Sequence, residues 1–105
     1  MVIVETSIFT RQVQKLLRDD EYRLLQTVLV ERPDIGPIIV GSGGLRKIRG
    51  IAGGRGKRGG VRVIYYWAVD QEKLLMLLMY AKSERDDLTR DQLRILRTIV
   101  EAEYK

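Results

Sequence analysis

The chain contains no histidine and no cysteine. Without histidine the commonest general acid–base group is missing, and with it the histidine-based nuclease pairs and any Ser–His–Asp triad. Without cysteine there is no disulfide framework, no thiolate nucleophile and no thiolate metal site. A zinc site built from carboxylates alone would be exceptional, so no metal and no cofactor is expected. Long apolar runs are scarce as well. The longest, Leu74 to Ala81, is far short of the roughly 20 residues that a membrane span needs. Met1 to Glu5 is apolar over too few residues for a secretory signal and lacks a basic segment. A cytoplasmic protein with no membrane partner is expected.

Negative charge is also missing from one long stretch. No acidic residue occurs from Ile35 to Val69, a window that holds Arg46, Lys47, Arg49, Arg55, Lys57, Arg58 and Arg62. Those seven are drawn from 19 cations, so 12 remain against 14 acidic residues and the rest of the chain is slightly acidic. The whole excess of +5 therefore sits in one segment. Such a distribution is the electrostatic footprint of a protein that binds a polyanion.

What is present otherwise is ordinary globular composition, 45% hydrophobic and 31% charged over 105 residues, enough for a single domain over 1–105 with one modest core. Met1 to Glu5 reads as a strand. A helix follows from Ser7 to Leu17 with Phe9, Val13, Leu16 and Leu17 on one face. Asp19 or Asp20 is the expected N-cap of a second helix, with Tyr22, Leu25, Val28 and Leu29 at helical spacing. Pro33 ends it. Ile38 to Val40 is a short extended piece before the turn Gly41-Ser-Gly-Gly44, and Leu45 to Ile51 is a strand. There Lys47 and Arg49 share one face, Arg46 and Ile48 the other. Gly53 to Gly60 is a loop.

Val61 to Ala68 alternates as a strand does, and Leu74 to Ala81 is apolar at almost every position, as a strand buried on both faces would be. Thr89 and Gln92 form a capping box for a last helix, Arg90 to Glu103, with Leu93, Leu96, Ile99 and Val100 inward. The predicted order is β-α-α-β-β-β-α. This is an α+β fold in which a helical hairpin and a C-terminal helix pack on a mainly antiparallel sheet.

Two glycine motifs are rejected. Gly54-Arg-Gly-Lys57 lacks the P-loop glycine, since Ile51 stands there; Arg58 follows the lysine, and a strand rather than a helix comes next. Gly41-Ser-Gly-Gly44 does not complete a dinucleotide fingerprint. The acidic clusters Asp19-Asp-Glu21 and Glu84-Arg-Asp-Asp87 each precede a helix, where carboxylates favour the positive end of the macrodipole. They read as capping and solvated charge.

Cationic chemistry on phosphate is what remains. Arginine holds phosphodiester oxygens through a planar fork and lysine as a point charge. Both stabilise the extra charge of a pentacoordinate phosphorane. When an RNA 2′-hydroxyl attacks its own phosphate, neither an external nucleophile nor a metal is required, and a lysine crowded by other cations can serve as base. Lys47, Arg49 and Arg62 are the strongest candidates, because a cation inside an apolar strand such as Arg62 must face a partner or a cleft. Arg46, Arg55, Lys57 and Arg58 are candidates for docking an RNA backbone, although a Lys/Arg-Gly loop is also a common solvated hairpin tip. Tyr65 and Trp67 read as core or sheet-face aromatics. Tyr66 shares Arg62's face, where a ring can stack on a base.

Leu45-Arg-Lys-Ile-Arg49, the glycine-rich basic loop, Gly60-Val-Arg-Val-Ile-Tyr-Tyr66 and Leu77-Leu-Met-Tyr-Ala-Lys-Ser-Glu84 together resemble the RelE/ParE superfamily, and within it the HigB-type toxins of bacterial type II toxin–antitoxin pairs. The similarity extends to Val2-Ile-Val-Glu-Thr-Ser-Ile-Phe9 and covers nearly the whole chain. It implies a ribosome-dependent mRNA endonuclease acting in the ribosomal A site without metal. It also implies an antitoxin with a helix-turn-helix domain, whose complex with the toxin represses its operator DNA. The paired basic positions of the central strand fall on Lys47 and Arg49, the arginine of the next strand on Arg62, and the basic residue after the last strand on Lys82. Relatives carry an arginine where this chain has Ser83 and a tyrosine where it has Leu88, so Tyr66 or Tyr80 must supply any aromatic contact. The ParE branch shares the fold but inhibits gyrase; that function, and non-catalytic ribosome binding, are the alternatives.

Overall fold

A computed structural model of the chain describes residues 1–50, 60–84 and 87–104. Among them the order is β1 (Val2–Glu5), α1 (Ser7–Leu16), α2 (Asp19–Glu31), β2 (Arg46–Gly50), β3 (Val61–Ala68), β4 (Lys73–Ala81) and α3 (Arg90–Tyr104). The strands form one sheet in the order β1-β4-β3-β2. β3 is antiparallel to both neighbours, and only β1 runs parallel to its partner β4. An α+β fold with a mainly antiparallel sheet is thus what the chain adopts.

The helices divide between the two faces of the sheet. Phe9 and Val13 of α1 and Leu25 and Leu29 of α2 pack on Val61, Val63, Tyr65, Leu74, Met76 and Met79. On the other face Leu96 and Val100 of α3 pack with Leu45, Ile64, Leu75, Leu77 and Tyr80. β3 alternates between these clusters without a break, as its sequence period requires. β4 does not. Tyr65 pairs with Met76 but Ile64 with Leu78, so Leu77 is an extra residue. This β-bulge turns both Leu77 and Leu78 toward the α3 side. It then returns Met79 to the α1–α2 side and Tyr80 to the α3 side. In a run that is apolar at every position, nothing in the residue types announces that step.

Among the described residues no strand lies on the β1 side of β4 beyond Met76, because β1 ends opposite that residue. Side chains of α1 and its N-cap take over the backbone groups of β4 there. Thr6 donates its hydroxyl to the Leu77 carbonyl at 2.9 Å while accepting the Phe9 N–H as the α1 cap. Gln12 Oε1 accepts the Met79 N–H at 2.9 Å. Glu5 closes the same corner: its two oxygens accept the hydroxyls of Thr10 and Tyr22, both at 2.6 Å. Burial, and then the neighbouring Glu5 carboxylate, push the Tyr22 phenol well above its ordinary value, so it stays a donor.

Some helix details differ from the sequence reading. The N-cap of α2 is Arg18, not Asp19 or Asp20, which lie inside the first turn with Glu21. Glu21 Oε1 accepts the Arg18 N–H at 2.7 Å and so ties down the cap from within. Val28 and Ile99 are exposed rather than inward, because each helix buries a narrower stripe than its apolar spacing suggests. The last helix does open on the expected capping box: Thr89 Oγ1 accepts the Gln92 N–H, and Gln92 Oε1 the Thr89 N–H.

The segment between α2 and β2 is held down by a buried hydroxyl. Tyr65, fully buried, donates to the Pro33 carbonyl at 2.8 Å and accepts the Gly36 N–H at 3.0 Å. Gly36 sits so close that an added Cβ would lie 2.9 Å from both the Lys47 carbonyl and the Tyr65 hydroxyl. The following turn needs glycine for another reason, since Gly41, Gly43 and Gly44 have φ of 74°, 75° and 107°. Replacing Tyr65 by Phe leaves the Gly36 N–H unpaired in the interior and should cost about 1–3 kcal/mol. A lower urea midpoint with an unchanged slope would show this loss.

Candidate functional site

A cleft of about 580 Å³ is lined by Pro37, Lys47, Arg49, Arg62, Lys82 and Asp87. It forms where β2 and β3 present their α3-side residues near the end of β4. Lys47 pairs in register with Ile64 and Arg49 with Arg62. Two arginines thus stand directly opposite each other on adjacent strands. Like charges so placed destabilise a sheet, a cost that an anion bound between them would relieve. Arg62 is only 6% exposed and donates to the Val61 carbonyl at 3.3 Å, so its guanidinium is set into the wall. Arg49 and Lys82 are exposed. Lys82 is placed by its own backbone N–H, which donates to the Gly60 carbonyl at 3.2 Å just before β3.

All four cations expected to do chemistry, Lys47, Arg49, Arg62 and Lys82, therefore line one cleft. Strand period brings the first three together, and the β3–β4 pairing, with Arg62 opposite Tyr80 and Val61 opposite Ala81, adds the fourth. The segment pinned by Tyr65 supplies Pro37 as a further wall; the Pro37 carbonyl accepts the Lys47 N–H at 3.1 Å.

Asp87 reads in the sequence as capping or solvated charge; it is solvent-exposed as expected, but it is not the cap. The cap of α3 is Thr89, whereas Asp87 lines the cleft with Oδ1 2.7 Å from Lys47 Nζ. The Lys47 hydrogen bond and charge, with smaller contributions from Arg62 and Lys82, hold the Asp87 carboxyl below the usual range. A carboxylate that precedes a helix reads as a cap in the sequence, and only the fold reveals that it meets a lysine 40 residues away.

The docking candidates fare differently. Arg46 lies on the other face of β2. Its guanidinium donates to the Asp34 and Gly36 carbonyls at 3.1 and 2.9 Å and sits 5.9 Å from the Trp67 ring centroid. It clamps the 34–36 segment rather than joining the cleft. Tyr66 is half-buried on the α3 side, packed beside Gly44, and does not line the cleft. Arg55, Lys57 and Arg58 fall outside the described residues.

A groove of about 630 Å³ between α2 and β2 has Leu24, Val28, Ile35 and Ile48 in its lining, so it is slightly larger but mostly apolar. Lys47 and Arg49 border this groove too, but only the smaller cleft joins them to Arg62 and Lys82. Among the described residues no group of three or more acidic side chains is placed to hold a metal ion, and no helix is long and apolar enough to cross a membrane. No protein-family model matches the chain.

Because the folded protein holds Asp87 below its unfolded value, the Lys47–Asp87 pair adds stability above the ordinary carboxylate pKa. It loses that contribution as pH falls through the depressed one. Side-chain carbonyl NMR should place the Asp87 midpoint below that of a free aspartate, and Lys47→Ala should return it most of the way. An unmoved midpoint would mean that the pair does not persist in solution.

Proposed function

We propose that this protein is the toxin of a type II toxin–antitoxin pair, an endoribonuclease that cleaves mRNA in the ribosomal A site. The observation that carries this reading is the convergence of Lys47, Arg49, Arg62 and Lys82 on one cleft. Charge and strand period single out Lys47, Arg49 and Arg62 in the sequence, and the resemblance to RelE/ParE-type toxins points to all four. A cognate antitoxin, with a helix-turn-helix domain that reaches operator DNA, is the partner that restrains it. The ribosome and its rRNA present the message.

The chemistry asked of the cleft is transesterification. The 2′-oxygen attacks the adjacent phosphorus, the bond to the 5′-oxygen breaks, and a 2′,3′-cyclic phosphate and a 5′-hydroxyl result. Arg49 and Arg62, opposite each other, are suited to hold the two non-bridging oxygens as charge builds on them. Arginine does not exchange its proton in a protein. Transfer from the 2′-hydroxyl and to the 5′-oxygen therefore falls to Lys47 and Lys82, the two lysines of the cleft.

Brief induction in bacteria, with mapping of mRNA 5′ ends, tests this directly. The wild type should arrest growth and cut translated messages within their reading frames. Neutralising Lys47 and Arg49 together should lower cleavage by about 10²–10³-fold or more, the scale of lost transition-state stabilisation. Arg62→Ala should do the same, with a melting curve to check folding because Arg62 is buried. Intact mRNA with DNA breaks and an SOS response would favour gyrase inhibition instead. Salt-sensitive ribosome binding without cleavage would favour a non-catalytic module.

A further inference from the structure

The cationic cleft adjoins a second cavity, of about 300 Å³. Lys47 and Asp87 line both spaces and so form the seam between them. Past the seam the walls change character: Ile39, Ile64, Leu88 and Leu93 are apolar, with Tyr80 among them. A charged trough beside an apolar slot, with one donor and one acceptor at the boundary, matches the two halves of a nucleotide. Phosphate belongs in the first and base in the second.

We propose that this second cavity seats the base next to the phosphate held in the cleft, and that Asp87 makes guanine the preferred base. The inference rests on the cleft being a phosphodiester site. An ionised carboxylate has two acceptor oxygens and no donor, and the cations around Asp87 keep it ionised. Guanine alone among the four RNA bases presents two adjacent donors, its ring N1–H and its N2 amino group, at the spacing of a carboxylate's oxygens. Beside them its O6 accepts, and Lys47 stands beside Asp87 as the donor, 2.7 Å away. Adenine and cytosine set a single amino donor next to a ring nitrogen acceptor, which would face the carboxylate lone pair to lone pair. Uracil has one N–H between two carbonyls. A site built for paired donors rejects bases that leave an acceptor unmatched. Tyr80, opposite Arg62 in the sheet, is the aromatic side chain on this cavity, whereas Tyr66 is not.

The four nucleoside 3′,5′-bisphosphates, titrated into the full-length protein and followed by NMR, are the probes. Guanosine bisphosphate should bind about tenfold tighter than the others, the scale of one bidentate base contact. It should also shift the methyl signals of Leu88 and Leu93. Asp87→Asn and Asp87→Ala should abolish the preference. Both variants also remove a negative charge from beside the phosphates and should tighten all four ligands together, so the ratio between bases is the readout. Equal affinity of the wild type for all four, with Lys47, Arg49 and Lys82 signals responding, would overturn the guanine inference while leaving the phosphodiester site intact. A preference that survives in both variants would do the same for Asp87. If no bisphosphate perturbs those cations, the phosphodiester reading falls, and this inference with it.

Discussion

Two adjacent strands buried on both faces set the constraint from which the rest of the molecule follows. β3 and β4 pair along eight registered positions, and most of the side chains they carry are buried while none is fully exposed. At roughly 25 cal/mol per Å² of apolar surface removed from water, that burial is the main store of stability, and it requires cover on each side. α1 and α2 cover one face and α3 the other. Lys82 leaves the sheet at the end of β4, and the chain between it and α3 carries Asp87 into the cleft. The site is thus assembled by the route the chain takes around a sheet buried on both sides.

The cleft concentrates like charge where a sheet is least tolerant of it. Arg49 and Arg62 oppose each other across β2 and β3, with Arg62 set into the wall and Arg49 at the surface. Placing two arginines there works against folding, whereas an isolated solvated loop would carry the same charge at little cost. Local choices that oppose stability are expected at functional sites. Asp87 tempers the arrangement by pairing with Lys47, and it also gives the seam a group that can accept hydrogen bonds. The same side chain therefore bears on both the electrostatics and the recognition proposed for the site.

Polar side chains perform a quieter task around this framework. Thr6 and Gln12 satisfy the edge of β4 that β1 is too short to reach, Glu5 ties Thr10 and Tyr22 together beside it, and Tyr65 with Arg46 holds the 33–36 segment against the sheet. Arg46 is instructive because its charge alone marks it for docking. Its position in the strand, one residue out of phase with Lys47 and Arg49, already put it on the opposite face. There its fork meets two backbone carbonyls and an indole ring. Alternation was the better guide than charge for this residue.

The sequence by itself determined the features that depend on period and composition. Element order, the two-sided burial of β4, the common face of Lys47 and Arg49 and the capping box at Thr89 were all legible, because each is a local pattern. The acid-free window from Ile35 to Val69 was legible for the same reason. Only the tertiary structure decided what depends on contacts between distant segments. The bulge at Leu77 was invisible in a run where every residue is apolar. The exposure of Val28 and Ile99 followed from how much of each helix the sheet could cover. Asp87 looked like a cap until the fold brought it to Lys47. The four cations were identifiable one by one, but their shared cleft came from strand register, which no single segment encodes.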